Sequence, residues 1–125
     1  GGCDAQEDRE ACRFARLAVK RGDLVTLALA GVYGKPRPAL VIQSDLFEAH
    51  PSLTVLPVTS DLRDAPLFRI RVEPSQANGL RATSEIMVDK AHTVGREKVG
   101  RKIGRLEDEE LIAVNRTLAT FLGFT

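Results

Sequence analysis

Gly34-Lys35-Pro36-Arg37-Pro38-Ala39-Leu40-Val41-Ile42-Gln43 sets an arginine between two prolines, directly ahead of an apolar run. Each proline fixes its own φ and pushes the residue before it toward extended geometry. The run Ala39 to Gln43 reads as a strand, which places Arg37 on stiff backbone at its mouth. A planar guanidinium held in a fixed place is what phosphate recognition needs. The following apolar run, Leu53 to Thr59, closes on Thr59-Ser60. A phosphate-handling site between two strand ends is therefore in view.

Working outward, further strand signals follow in quick succession. Leu24 to Ala30 precedes a turn containing Gly31 and Gly34, and Phe68 to Val72 alternates with arginines as a half-exposed strand does. Pro74 to Leu80 reads as a turn around Asn78-Gly79, Glu85 to Val88 and Val99 to Ile103 as the last strands. Glu107 to Leu122 is the clearest helix. Leu111, Val114, Leu118, Phe121 and Leu122 share its apolar face, the acidic run 107–110 suits the positive end of the dipole, and Gly123 ends it. Many short strands with one packing helix predict a mainly β domain, a small antiparallel barrel.

The chain has 125 residues, enough for one domain with its own core. Its 18 Lys and Arg against 17 Asp and Glu leave a net charge of +1, so nucleic-acid binding has to rest on a local patch. Two basic groups offer one: Arg96, Lys98, Arg101, Lys102 and Arg105, and more loosely Arg63, Arg69, Arg71 and Arg81. Both read equally as solvated strand faces. The two cysteines, Cys3 and Cys12, lie ahead of the domain, which therefore needs no disulfide and suits a reducing cytoplasm. No Cys/His spacing suggests zinc, no metal or cofactor is expected, and no apolar run approaches the ~20 residues of a membrane span. Residues 1–19 stand apart as an N-terminal extension. Ala11, Phe14, Ala15 and Ala18 recur at helical spacing within it, and Gly1-Gly2 has the look of a cloning scar. Native extension, misassigned start and cloning remnant all stay open. The domain proper runs over 20–125.

Lys20-Arg21-Gly22-Asp23 opening a strand, Arg37-Pro38-Ala39-Leu40-Val41-Ile42, Pro57-Val58-Thr59-Ser60, and Val88-Asp89-Lys90 followed by Thr93-Val94 occur in a telling order. With the helix after Ile103-Gly104-Arg105-Leu106, this pattern resembles the PemK/MazF toxins of type II toxin–antitoxin systems over roughly residues 19–124. The resemblance implies an SH3-like barrel of the MazF/CcdB kind, usually a homodimer. It implies a cytoplasmic, metal-independent endoribonuclease that cuts single-stranded RNA at short sequences and is blocked by a cognate antitoxin.

RNA cleaves itself when its 2′-hydroxyl attacks the adjacent phosphorus; a protein assists by moving protons and stabilising the charged phosphorane. By resemblance Arg37 binds the phosphate and stabilises that charge. Thr59 donates to a phosphate oxygen, with Ser60 as its weaker neighbour. The same threonine also reads as a strand-end residue bonded to backbone. Asp89 stands where one branch of the family has an acidic catalytic residue. That branch carries an arginine where this chain has Met87, and a loop histidine where it has Gly31, Val32 and Tyr33, so Asp89 is at most a partner or a structural carboxylate. Tyr33 is a candidate for stacking on a base, Lys35 and Arg63 for phosphate contacts, and Asp61 to Pro66 for a mobile loop over the groove. His50 and His92 are candidates for a general base because imidazole is the side chain most often used for one, but nothing in the pattern requires either. Two alternatives remain: a CcdB-like gyrase poison, disfavoured by a Phe121-Leu122-Gly123-Phe124-Thr125 end without tryptophan, and an inactive barrel that binds nucleic acid or protein.

Overall fold

A computed structural model describes residues 19–28 and 35–124. The helix expected before Ala18, both cysteines, Tyr33 and the Gly31–Gly34 turn lie outside the described residues. Among the described residues seven strands are formed: β1 (Asp23–Leu27), β2 (Arg37–Val41), β3 (Ser52–Thr59), β4 (Arg69–Val72), β5 (Ser84–Met87), β6 (His92–Gly95) and β7 (Val99–Arg105). One helix, α1 (Asp108–Leu122), follows. Arg37 is the first residue of β2 rather than a residue ahead of it. The strand β6 is not among the strands expected from the sequence, because four residues beginning with histidine carry too little apolar alternation to signal a strand alone.

All pairings are antiparallel, in the order β4-β5-β3-β2-β1-β7. The centre is β3. One of its edges takes β2 through Val55–Pro57, and the other takes β6 through Ser52–Val55 and then β5 through Val58 and Thr59. Among the described residues no ladder joins β4 to β7, so the sheet curls into a barrel-like shape without closing.

The period-2 alternation of a strand buries the central strands on both faces. Leu24, Leu40, Leu56, Val58, Ile86 and Val114 form one core, with Leu118 packed against it. Val25, Leu27, Ala39, Val41, Leu53 and Val55 form the other. Leu24, Leu40 and Leu56 are fully buried, each contributing roughly 1.5–3 kcal/mol of apolar transfer free energy. The helix is closed at its start by a capping box, in which the Glu107 amide donates to the Glu110 carboxylate at 3.0 Å, and at its end by Gly123 with φ 84°. Phe121 and Leu122, expected on the packing face, are half exposed, because α1 meets the sheet through Val114 and Leu118 nearer its middle.

Two devices fix the loops around the barrel mouth. Asn78, 1% exposed, accepts from the Ser75 and Leu80 amides at 2.9 Å each and donates to the Glu73 carbonyl at 2.8 Å. The Arg105 amide donates to the Ala77 carbonyl at 2.8 Å, docking this loop on β7. Gly79 takes φ 67°, and a Cβ there would strike the Ile103 carbonyl. The second device is Glu85 in β5. Its side chain is 3% exposed; Oε1 accepts from the Arg63 amide and from Arg69 Nη1, and Oε2 from Arg71 Nη2, all at 2.9 Å. The Arg63 amide, then the two guanidiniums, hold its carboxyl well below the usual range, at about 2. Asp64, the next residue in the tethered segment, takes φ 52°.

Two outcomes are expected. Gly79→Ala lowers the unfolding free energy by about 2 kcal/mol or more in urea melts, from left-handed backbone strain plus the clash with Ile103; an unchanged midpoint contradicts the docking described. A carboxyl whose pKa falls from 4.5 to about 2 on folding stabilises fully above the unfolded value and loses that contribution as pH drops through the folded one. The Tm gap between wild type and Glu85→Gln is therefore constant above about pH 5 and shrinks as pH falls toward 2. A gap that persists undiminished to pH 2 contradicts the network.

Candidate active site

The β2–β3 register builds the site. The ladder ends where Ala39 pairs with Pro57, so Arg37 and Thr59 each lie two residues beyond its last pair, on the same side of it. On its other edge Arg37 pairs with Leu27 of β1. Arg37, Thr59 and Ser60 line one groove of about 650 Å³, together with Arg81 and Ser84 from the opposite wall. The third wall comes from an irregularity. Val25 pairs with Lys102 and Leu27 with Val99, so Thr26 alone faces Gly100 and Arg101. Such a bulge re-aims side chains. Thr26 Oγ1 accepts from the Arg101 amide at 3.1 Å, and Arg101 is one of the residues lining the groove. A Cβ on Gly100 would come within 2.5 Å of that same hydroxyl oxygen, so glycine lets the strand approach Thr26 closely.

Charge pairing sorts the arginines. Arg69 and Arg71 bind Glu85, Arg63 binds Asp61 at 3.0 Å, Arg105 binds Asp23 at 2.9 Å, and Arg21 Nε donates to the Ile42 carbonyl at 2.8 Å. Arg96, 4% exposed, donates to the Phe47 and His50 carbonyls. Arg37, Arg81 and Arg101 have no side-chain partner among the described residues, and all three line the groove. Guanidiniums with no acid partner among the described residues that line one concave site can receive an anion.

Thr59 supplies the matching donor. Its Oγ1 accepts from the Asp61 amide at 3.0 Å, the strand-end bond that the sequence allowed for. Accepting through oxygen leaves the hydroxyl hydrogen free, and no acceptor among the described residues takes it. The backbone bond therefore orients the hydroxyl without consuming its donor.

The remaining sequence candidates lie elsewhere. Asp89 sits in a 3-10 turn beneath α1, away from the residues lining the groove. Its Oδ2 is 3.3 Å from Lys90 Nζ, and its Oδ1 is buried without a hydrogen-bond partner. Lys35 is exposed beside the groove residue Pro36 but is not itself among the lining residues. The Arg63 guanidinium is spent on Asp61, outside the groove. His50 Nδ1 accepts from the Ser52 amide at 3.0 Å, and His92 Nδ1 lies 3.1 Å from the Lys90 carbonyl; neither reaches the groove. Among the described residues no cluster of three or more His, Cys, Asp or Glu side chains is arranged to hold a metal ion. Sequence reasoning missed Arg81 and Arg101 as a pair and missed Glu85 altogether. The two arginines are visible in the sequence only as members of basic groups whose other members prove to be mostly tied down.

Comparison with known proteins bears on the family and the fold. The sequence pattern of the PemK-like, MazF-like toxins of type II toxin–antitoxin systems matches residues 20–122. The probable endoribonuclease MazF of Mycolicibacterium smegmatis is 47% identical over 106 residues, which is 84% of this chain and 97% of that protein. Endoribonuclease EndoA of Bacillus subtilis is 29% identical over 107 residues, 82% of this chain and 92% of that protein. Among solved structures, a mycobacterial endoribonuclease in complex with its cognate antitoxin superposes with a TM-score of 0.69 at 24% identity, covering 85% of this chain and 94% of that one. MazF in a MazE–MazF complex from Deinococcus radiodurans gives 0.70 at 23% identity, covering 85% and 97%. With a seven-stranded antiparallel sheet, one C-terminal helix and this match over nearly the whole domain, the chain belongs to the PemK/MazF family of toxins.

Proposed function

We propose that residues 20–125 form the toxin of a type II toxin–antitoxin system, an endoribonuclease that cuts single-stranded RNA in the groove between β2, β3 and β7, with residues 1–19 as an extension. The observation that carries this reading is one groove lined by three arginines with no side-chain partner among the described residues and by a hydroxyl whose hydrogen no described acceptor takes. The substrate's own 2′-hydroxyl attacks the adjacent phosphorus and gives up its proton to water, the P–O5′ bond breaks as water protonates the leaving oxygen, and a 2′,3′-cyclic phosphate and a 5′-hydroxyl end result. The Arg37 guanidinium faces the charge that builds on the non-bridging oxygens, and Thr59 donates to one of them, with Ser60 beside it. Arg81 and Arg101 hold the flanking phosphates, and Lys35 adds charge at the mouth. Three fixed positive charges supply the electrostatic stabilisation that a divalent ion would otherwise bring and disfavour a cation in the same place. This scheme assigns no step to Asp89, which is not among the residues lining the groove.

The partner is an antitoxin, as the relatives solved with MazE or a cognate antitoxin suggest. The working form is a homodimer in the cytoplasm. Exposed Ile112, Phe121, Leu122 and Phe124 on and after α1 give apolar surface for such an assembly. Among the described residues no helix is long and apolar enough to cross a membrane. The relatives are named as endoribonucleases, which favours RNA over gyrase as the target.

The test is one gel. In chelator, wild type cuts a long single-stranded RNA at discrete positions with cyclic phosphate ends, and Arg37→Ala loses about 10²-fold or more in rate. Arg81→Ala and Arg101→Ala raise KM and each reduce the steepness of the log–log salt dependence of RNA binding by about 0.7. Intact RNA with wild type overturns the reading.

A further inference from the structure

The segment after Thr59 is tied to the barrel through one chain of bonds, each 2.9 to 3.0 Å long. Glu85 Oε1 accepts from Arg69 Nη1, Arg69 Nη1 also donates to the Asp61 carbonyl, and the Asp61 amide donates to Thr59 Oγ1. Glu85 is also the residue that pairs with Thr59 across β3 and β5. A second bond runs from the Arg63 amide to the same Oε1. The Asp61 to Pro66 loop, expected to be mobile, is thus pinned close to the residue proposed to contact the phosphate.

We propose that Glu85 is a positioning residue: acting through Arg69 and the two peptides that flank the Asp61 Cα, it fixes the Thr59 hydroxyl as a donor aimed into the groove. This rests on the ribonuclease reading above. Thr59 has one rotatable bond to its hydroxyl-bearing carbon and a second that turns the O–H. The Asp61 amide occupies one lone pair, so the hydrogen is excluded from that direction and left to the groove. That amide belongs to the Ser60–Asp61 peptide, and the next peptide along, joined to it at the Asp61 Cα, has its Asp61 carbonyl gripped by Arg69. Arg69, 13% exposed at its side chain, is in turn set by a carboxylate 3% exposed. Because that carboxyl stays ionised far below neutral pH, the clamp does not loosen across the physiological range. Glu85 touches no substrate in this scheme. Its effect is confined to transition-state contacts made by Thr59, so it appears in the cleavage rate and not in RNA affinity.

The experiment is a double-mutant cycle on a short RNA containing one mapped cleavage site, with affinity measured on the same RNA bearing a 2′-deoxy nucleotide at that site. Thr59→Ala is expected to slow single-turnover cleavage about 10²-fold. Glu85→Gln is expected to slow it about tenfold while RNA affinity stays within about twofold. In the Thr59→Ala background Glu85→Gln costs nothing further, since the hydroxyl it positions is gone. Arg69→Met, which leaves Glu85 its bonds to Arg63 and Arg71, gives the same pattern and serves if Glu85→Gln does not fold. Amide exchange at Asp61 speeds up in either variant. An additional tenfold loss in the Thr59→Ala background, a fall in affinity matching the fall in rate, or unchanged exchange at Asp61 overturns the proposal. A wild type that leaves RNA intact overturns the ribonuclease reading itself, an outcome distinct from a wild type that cuts and a Glu85→Gln that cuts equally well.

Discussion

Everything in this molecule hangs on β3. It is hydrogen-bonded along both edges, to β2 on one side and to β6 and then β5 on the other, and is buried on both faces. Strand alternation forces the two-faced burial: Leu56 and Val58 go to the core under α1, and Leu53 and Val55 to the opposite one. A strand so constrained cannot slip by one residue without turning each set of apolar side chains to the wrong side. Its C-terminal end is therefore a fixed point, and Thr59, Ser60 and Arg37 inherit that precision.

Electrostatics then separates structure from function. A near-neutral chain holds 18 Lys and Arg, and most of the described arginines are consumed internally. Asp23, 2% exposed at its side chain, is close to both Lys102 and Arg105; Glu85 takes Arg69 and Arg71. What remains without a side-chain partner among the described residues of the groove is a small group of arginines lining one volume. Net charge carries no hint of this, because the relevant quantity is which cations lack an acid within reach.

The sequence makes some of this legible and hides the rest for definite reasons. The Pro36-Arg37-Pro38 stiffening and the polar close of the next strand are local signals, so the Arg37/Thr59 pair can be read from the chain's own order of residues. The capped helix and the alternating core strands are local too. Arg81 and Arg101 cannot be separated from their neighbours in this way, since whether an arginine is tied depends on acids far along the chain: Glu85 lies 14 and 16 residues from its partners, and Asp23 lies 82 from Arg105. The bulge beside Arg101 exists only once β1 and β7 pair. Asp89 is attractive by its position in a motif, yet the 3-10 turn carries it under the helix, away from the groove.

A phosphate held between Arg37 and Thr59 is the centre of this mechanism. It is tested most directly by a crystal structure of the protein with a single-stranded RNA carrying a 2′-deoxy nucleotide at its cleavage site. The account predicts the scissile phosphate within hydrogen-bond distance of both the Arg37 guanidinium and the Thr59 hydroxyl, with Arg81 and Arg101 on neighbouring phosphates. RNA lying against the Asp89 turn, or elsewhere with the groove empty, would contradict it.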